Sequence, residues 1–136
     1  MFFVLEDASQ AGLTPQAWAT KAVALYRRLN ANALVAEINM GGEMVRSVLR
    51  QVDASVPLKE VHARRGKYLR AEPVAALYEQ RKVKHVGCFP LLEDEMCDFG
   101  INGLSSGASP DRLDALVWAV AALTFGARAE PRIRGL

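Results

Sequence analysis

"ALVAEINMGGEMVRSVLRQVDASVPLKEV", residues 33–61, decides the fold class. Its opening "ALVAEI" is a run of apolar residues broken only by Glu37, the composition of a strand buried in a parallel sheet. "NMGG" then leads into a helix over roughly residues 43–51, with Val45, Val48 and Leu49 turned inward, and "VPLKEVHA" forms a further short strand.

The same alternation continues on both sides. Upstream, "FFVLEDAS" reads as a strand ending in the turn around Gly12. "TPQAWATKAVALYRRLN" follows as an amphipathic helix, with Thr14 as N-cap, Pro15 in the first helical position, and Trp18, Ala22, Leu25 and Leu29 at helical spacing. Downstream, "KYLRAEPVAALYEQRKV" is expected to be helical from about Glu72, because Pro73 suits a first turn and Val74, Leu77 and Tyr78 share a face. "KHVGCF" is a short extended piece, "PLLEDEMCDF" a brief helix opened by Pro90, and "GINGLSSGASP" a loop and the best candidate for mobility. The helix "SPDRLDALVWAVAAL" comes last, and "GARAEPRIRGL" is a tail expected to fray. Strands alternating with helices predict an α/β layer structure. With 136 residues, 51% of them hydrophobic, no internal repeat and no dividing linker, one domain over 1–136 is expected.

Several function classes drop out. No stretch approaches the roughly 18 apolar residues of a membrane span, and "MFFVLEDASQ" has no signal-peptide character, so a cytoplasmic protein with no membrane role is expected. Cys88 and Cys97 fit no zinc or CxxC spacing and read as free thiols. Cys88 and Met96 read as core, and His62 and His85 carry no assigned role. The "GK" of Gly66 and Lys67 lacks the upstream glycine of a Walker motif, and Gly41–Gly42 does not make GxGxxG, so no nucleotide motor is present.

Charge is unevenly spread. Residues 59–84 hold eight bases (Lys59, Arg64, Arg65, Lys67, Arg70, Arg81, Lys82, Lys84) against three acids, whereas residues 91–114 hold six acids (Glu93, Asp94, Glu95, Asp98, Asp111, Asp114) against Arg112. A basic belt beside an acidic cluster suits an enzyme that grips a polyanion next to a cation-dependent centre, and it equally suits two solvated surfaces.

Two sets of acids draw attention. Glu37, in or at the end of a buried strand, needs a cation, good hydrogen bonds or access to water, because desolvating a carboxylate costs several kcal/mol. In the last helix Ser109 suits an N-cap and Pro110 a first helical position, so Asp111 could be simple punctuation at the positive end of the helix. Yet Leu113, Leu116, Val117 and Val120 make one apolar face, while Asp111, Asp114 and Trp118 lie opposite with Ala115 and Ala122, a face that reads as packed too and puts the acids at a crevice rather than in bulk solvent. Carboxylates at i and i+3 can converge on one hard cation, for which magnesium or manganese is suited.

Four stretches together resemble the C-terminal nuclease domain of the large terminase subunit of tailed phages and phage-like gene transfer agents: "VAEINMGGEMV" (35–45), "ARRGKYLRAEPVAALYEQRKVKHVG" (63–87), "LEDEMCDF" (92–99) and "SPDRLDALVWAV" (109–120). The opening "FVLEDAS" and "TPQAWATKAV" are also similar, in one collinear order over nearly the whole chain. The resemblance implies an RNase H-like nuclease fold, a mixed sheet flanked by helices, that cuts concatemeric DNA during genome packaging with Mg2+ or Mn2+ held by acids. By motif, Glu37 corresponds to the second catalytic acid and Asp111 to the third, with Asp114 beside it as an auxiliary ligand. Arg64, Arg65, Lys67 and Arg70 are candidate phosphate contacts on double-stranded DNA, which would position a duplex without reading its sequence. A separate terminase ATPase domain, a small terminase subunit and a portal are the implied partners, in the cytoplasm of a bacterial host.

One departure matters. The family's first catalytic aspartate lies upstream, in a V-x-x-D-P segment followed by another strand, whereas this chain starts at "MFFVLED". The domain is thus expected to be N-terminally incomplete, to bind metal weakly and to cut little or not at all alone. Asp7 matches the later "LED" element and does not replace the missing ligand. The opening strand is expected either to dock on "ALVAEI" or to leave an edge that a second copy completes as a homo-oligomer. Competing expectations are a noncatalytic DNA-binding or interaction remnant of a prophage terminase, and a related RNase H-like resolvase or transposase.

Overall fold

The structure, a computed structural model, describes residues 1–39 and 42–125. In chain order the elements are β1 (Phe2–Val4), α1 (Pro15–Arg28), β2 (Leu34–Glu37), α2 (Gly42–Val52), β3 (Leu58–Val61), α3 (Lys67–Glu79), β4 (Val83–His85), α4 (Pro90–Asp98) and α5 (Asp111–Phe125). Strands alternate with helices as far as α4, as an α/β protein requires. The described strands form two separate parallel pairs, β1 with β4 and β2 with β3. The antiparallel pairing found among the described residues is an isolated bridge between Gly100 and Gly103. The expected fraying of "GARAEPRIRGL" falls on residues outside those described.

By contacts the chain divides into two compact units, one of residues 10–64 and the other of residues 1–9 with those from 65 onward.

The first unit holds the strand–helix–strand segment. Leu34 lies opposite Leu58 and Glu37 opposite Val61 in parallel register, with α2 as the crossover. Thr14 caps α1 as expected, its Oγ1 accepting the Ala17 N–H at 3.2 Å, and Pro15 follows in the first turn. The core is Ala19, Val23 and Leu49, surrounded by Trp18, Leu34, Val45, Val48 and Leu58. The buried stripe of α1 thus centres on Ala19 and Val23, next to the expected Trp18–Ala22–Leu25 line. A small alanine side chain, here fully buried, lets α1 and α2 approach closely.

A second close approach lies at the start of α2. A Cβ on Gly42 would stand 1.8 Å from Ile38 Cγ2 and 3.2 Å from Ile38 Cβ. Ile38 is buried and β-branched, so its methyl has little freedom to swing aside. Gly42→Ala is therefore expected to destabilise the protein by about 1–3 kcal/mol. The change is read as a lower urea midpoint, and an unchanged midpoint would show that this contact yields at no cost.

In the second unit Phe2 lies opposite Val83 and Val4 opposite His85. The opening strand therefore docks on β4, which corrects the expectation that it docks on "ALVAEI". The ladder is extended at both ends, by Phe2 N–H to Lys82 O at 2.7 Å and Val86 N–H to Val4 O at 3.0 Å. Val74, Leu92, Leu113, Leu116, Val117 and Val120 form the core, with Val4, Leu77, Phe89, Met96 and Phe99 packed on it. Cys88 is exposed, which corrects its reading as core: β4 ends at His85, and Cys88 lies beyond it in the connection to α4.

Two helix starts also differ from expectation. Helix α3 begins at Lys67, behind Gly66, and carries Pro73 in its interior. Pro73 denies the Leu69 carbonyl its i+4 donor. Leu69 is exposed to water, while Ala71 and Val74 on the other side pack on the core, so burial outweighs the lost bond. In α5 the Pro110 carbonyl accepts the Asp114 N–H at 2.9 Å, which puts Pro110 at the cap position expected for Ser109. The glycine-rich connection before it is tied down at Ser105, whose N–H donates to Asp98 at 2.9 Å and whose hydroxyl donates to the same carboxylate.

Candidate functional site

The acids and bases of interest in the second unit meet where α3 and α5 pack together. A helix that buries Leu113, Leu116 and Val117 also carries Asp114 inward, and Asp114 is left 8% exposed. A carboxylate that deep needs a cation. Arg70, one turn into α3, provides it, with Nη2 donating to Asp114 Oδ1 at 2.7 Å and both side chains 10% exposed. The Arg70 guanidinium lies over Trp118 at 5.0 Å from the ring centroid, and its Nη1 donates to the Arg65 carbonyl. Planar stacking and directed hydrogen bonds together fix its position.

Lys67 serves both aspartates. Its Nζ is 3.7 Å from Asp114 Oδ2 and 3.6 Å from Asp111 Oδ1, and it donates to Ser109 Oγ at 2.7 Å. Ser109 in turn donates to Asp111 Oδ1 at 2.6 Å. Asp111 itself is exposed at the first helical position, so the i, i+3 pair has one buried and one solvated member. The two carboxylates do converge on a single cation position, which the lysine ammonium fills.

The same helix start draws on an acid that sequence reasoning missed. Glu95 of α4 accepts the Leu113 N–H at 2.9 Å, satisfying one of the orphan donors of α5, and pairs with Arg112 at 3.5 Å. Asp7 is 3.3 Å from Arg112 and accepts the Ser9 N–H at 3.0 Å. Both acids serve structure. A cap supplied by another helix leaves no local signal, because the spacing of Glu95 from α5 is set by tertiary packing.

His85, left without a role, sits in a hydrogen-bonded chain. Tyr78 Oη and His85 Nε2 are 2.7 Å apart, His85 Nδ1 and Glu93 Oε1 are 3.0 Å apart, and the Phe89 N–H donates to the same Glu93 oxygen at 3.3 Å. The His85 hydrogen bond, with the Phe89 N–H next, holds the Glu93 carboxyl below its ordinary range. Burial, aided by the Glu93 charge, pushes the Tyr78 phenol up to about 12. The chain ties α3, β4 and α4 together, with the His85 ring packed against Phe89 at 5.6 Å.

In the other unit Glu37 is the last residue of β2, half-buried, and accepts from Asn39 Nδ2 at 3.3 Å. Its neighbour across the ladder is Val61. One residue earlier on β3, Glu60 takes a two-pronged contact from Arg46 of α2, through Nε and through Nη2 at 2.8 Å, and that hydrogen bonding lowers the Glu60 pKa. Arg64 and Arg65 are exposed in the β3–α3 connection, and Lys67 is half-exposed at the start of α3. Of the four candidate phosphate contacts, Arg70 differs in being buried against Asp114.

Among the described residues no group of three or more His, Cys, Asp or Glu side chains is arranged to hold a metal ion. Asp111 and Asp114 are a pair of oxygen donors meeting at one cationic point, which is the donor chemistry of a hard divalent ion in part. No described helix is long and apolar enough to cross a membrane.

Comparison with known proteins gives one match: the family model described as the terminase RNaseH-like domain covers residues 1–123. No curated protein and no solved structure matches the chain.

Proposed function

This chain belongs to the terminase RNaseH-like domain family, and we propose from that membership that it is a divalent-metal-dependent DNA endonuclease domain that cuts concatemeric DNA during phage genome packaging. The family match runs unbroken through both compact units, which supports treating them as one nuclease domain. The observation that carries the reading is the convergence of Asp111 and Asp114 on one cation position at the head of α5. Glu37, Asp111 and Asp114 are the proposed ligands of Mg2+ or Mn2+.

The reaction is hydrolysis of a phosphodiester: water adds to phosphorus, the bond to one ester oxygen breaks, and that oxygen leaves with a proton. Bound divalent metal supplies charge stabilisation and an acidified water when present. The protein's part is positional. Asp111 and Asp114 present carboxylate oxygens from the first turn of a helix whose far side is locked into the core. Arg70 holds Asp114 Oδ1 and so orients the other oxygen. Arg64 and Arg65, exposed between β3 and α3, are proposed to hold the phosphates of double-stranded DNA, with Lys67 beside them. A terminase ATPase domain, a small terminase subunit and a portal are the proposed partners.

A second reading has its own support. The acids on α5 are already neutralised by Arg70 and Lys67, as a noncatalytic DNA-binding module would have them. Incubation of the purified chain with supercoiled plasmid separates the two. The nuclease reading expects open-circular product in Mn2+ and none in EDTA, formed slowly at most by this chain and faster by a version extended upstream with a V-x-x-D-P strand. Retardation of the plasmid on a gel with no cutting in Mn2+ by either version would replace that reading with the binding module.

A further inference from the structure

Resting on the nuclease reading above, we propose that Lys67 is a built-in counter-cation of the Asp111–Asp114 pair, and that a divalent metal enters this site only by displacing its ammonium.

The two basic residues at the site are held very differently. Arg70 is 10% exposed, stacked over Trp118 and bonded to Asp114 Oδ1 at 2.7 Å, so it has no room to leave. Lys67 is 37% exposed and stands 3.6 and 3.7 Å from the two carboxylates, close enough for attraction but longer than a direct hydrogen bond. Its short contact is to the neutral Ser109 hydroxyl. The oxygens also divide between them: Arg70 takes Oδ1 of Asp114, whereas Lys67 faces Oδ2 together with Asp111 Oδ1. The Asp114 oxygen that Arg70 leaves open is thus the one the lysine faces, and on Asp111 the lysine faces the oxygen that also accepts from Ser109.

Lys67 is moreover the first residue of α3, where the helix macrodipole and the free N–H groups disfavour a cation. Gly66 before it offers no side-chain cap that would offset this. A lysine at that position is explained by the carboxylates it faces, and it loses little on leaving them. A divalent ion carries twice the charge and binds carboxylate oxygen at about 2.0–2.1 Å for magnesium. The ammonium and the ion cannot share the point, since each repels the other at short range. Lys67 is 37% exposed, so once displaced it has solvent to move into.

Titration calorimetry with MnCl2 and no DNA tests this on the full chain. Lys67→Met, which keeps length and removes charge, is expected to bind Mn2+ at least tenfold more tightly than the wild type. Lys67→Arg, which keeps a cation, is expected to stay within about threefold of it. Adding Asp111→Asn to Lys67→Met is expected to abolish the gain. If Lys67→Met fails to fold, Lys67→Gln reads the same loss of charge. Equal Mn2+ affinity for wild type and Lys67→Met, or no detectable binding by either, overturns the proposal, as does an equal gain in Lys67→Arg. The nuclease reading fails independently. Plasmid left uncut in Mn2+ even by the upstream-extended version, while Lys67→Met still gains affinity, refutes the nuclease and leaves the lysine assignment standing. Metal-dependent nicking with no gain in Lys67→Met does the reverse.

Discussion

Arg70→Met is expected to cost about 3–5 kcal/mol of stability, the range for breaking a buried ion pair from one side. The substitution leaves Asp114 8% exposed with its Oδ1 stripped of a donor at 2.7 Å. It also removes the cation stacked over Trp118 at 5.0 Å, worth about 0.5–2 kcal/mol. Lys67, 3.7 Å from Asp114 Oδ2, remains as partial compensation, so the lower half of the range is expected. Asp114→Leu alone should cost less, because the guanidinium keeps the Arg65 carbonyl and the Trp118 ring. The double variant Arg70→Met/Asp114→Leu should recover most of the loss, since replacing both members of a buried pair by apolar groups is often neutral or stabilising. Urea unfolding followed by Trp118 fluorescence in a Trp18→Phe background reports on the unit that contains the pair. Single variants costing under about 1 kcal/mol, or a double variant costing the sum of both, would mean that the pair is uncoupled and that Asp114 is accommodated in some other way.

The same pair shows how far the sequence could be read. Its apolar periodicity was legible: Leu113, Leu116, Val117 and Val120 are buried together because a regular 3.6-residue repeat admits one interpretation. Thr14 followed by Pro15 was legible too, since a cap and its first turn are local chemistry. The rule that a buried carboxylate needs a cation was also sound. What the residue string cannot say is which carboxylate goes under. Glu37 in its apolar run drew that argument, yet it is half-buried at a strand end, while Asp114 is the deeply buried one. Its partner lies 44 positions away, one of many arginines, and only packing of α3 on α5 selects it.

Strand partners were harder still. The pairing of β1 with β4 joins Phe2 to Val83, and a three-residue strand carries too few side chains to mark its register in sequence. Pro73 misled for the opposite reason. Its local preference for a helix start is real, but burial of Ala71 and Val74 on either side prevails, and the helix begins at Lys67 instead. The exposed state of Cys88 follows from β4 ending at His85, three residues short of it. The family resemblance reached further than these local rules, because collinear motifs carry information about the fold that no single segment holds.

In a version extended upstream with a V-x-x-D-P strand, Glu37→Gln and Asp111→Asn are each expected to lower metal-dependent plasmid nicking by about a hundredfold or more while leaving the fold intact. Metal-held charge stabilisation in phosphoryl chemistry is worth several kcal/mol, and each 1.36 kcal/mol is about tenfold in rate. The two positions are suited to this test because neither is deeply buried: the Asp111 side chain is 83% exposed, and Glu37 is half-buried at the end of β2. Asp111→Asn gives up a favourable charge in the first turn of α5, worth about 0.3–1 kcal/mol, which urea unfolding would register as a small shift. Glu37→Gln keeps the size of the side chain and its ability to accept from Asn39. Asp114 is a poor first choice, since its loss confounds chemistry with the Arg70 pairing. If both carboxylates serve one metal centre, the double variant should be no slower than the worse single variant, because ligands that act as a unit are not additive. Nicking at wild-type rate by either single variant, with folding unchanged, would remove that residue from the site, and wild-type rate from both would leave Mn2+-dependent cutting to be explained by other groups.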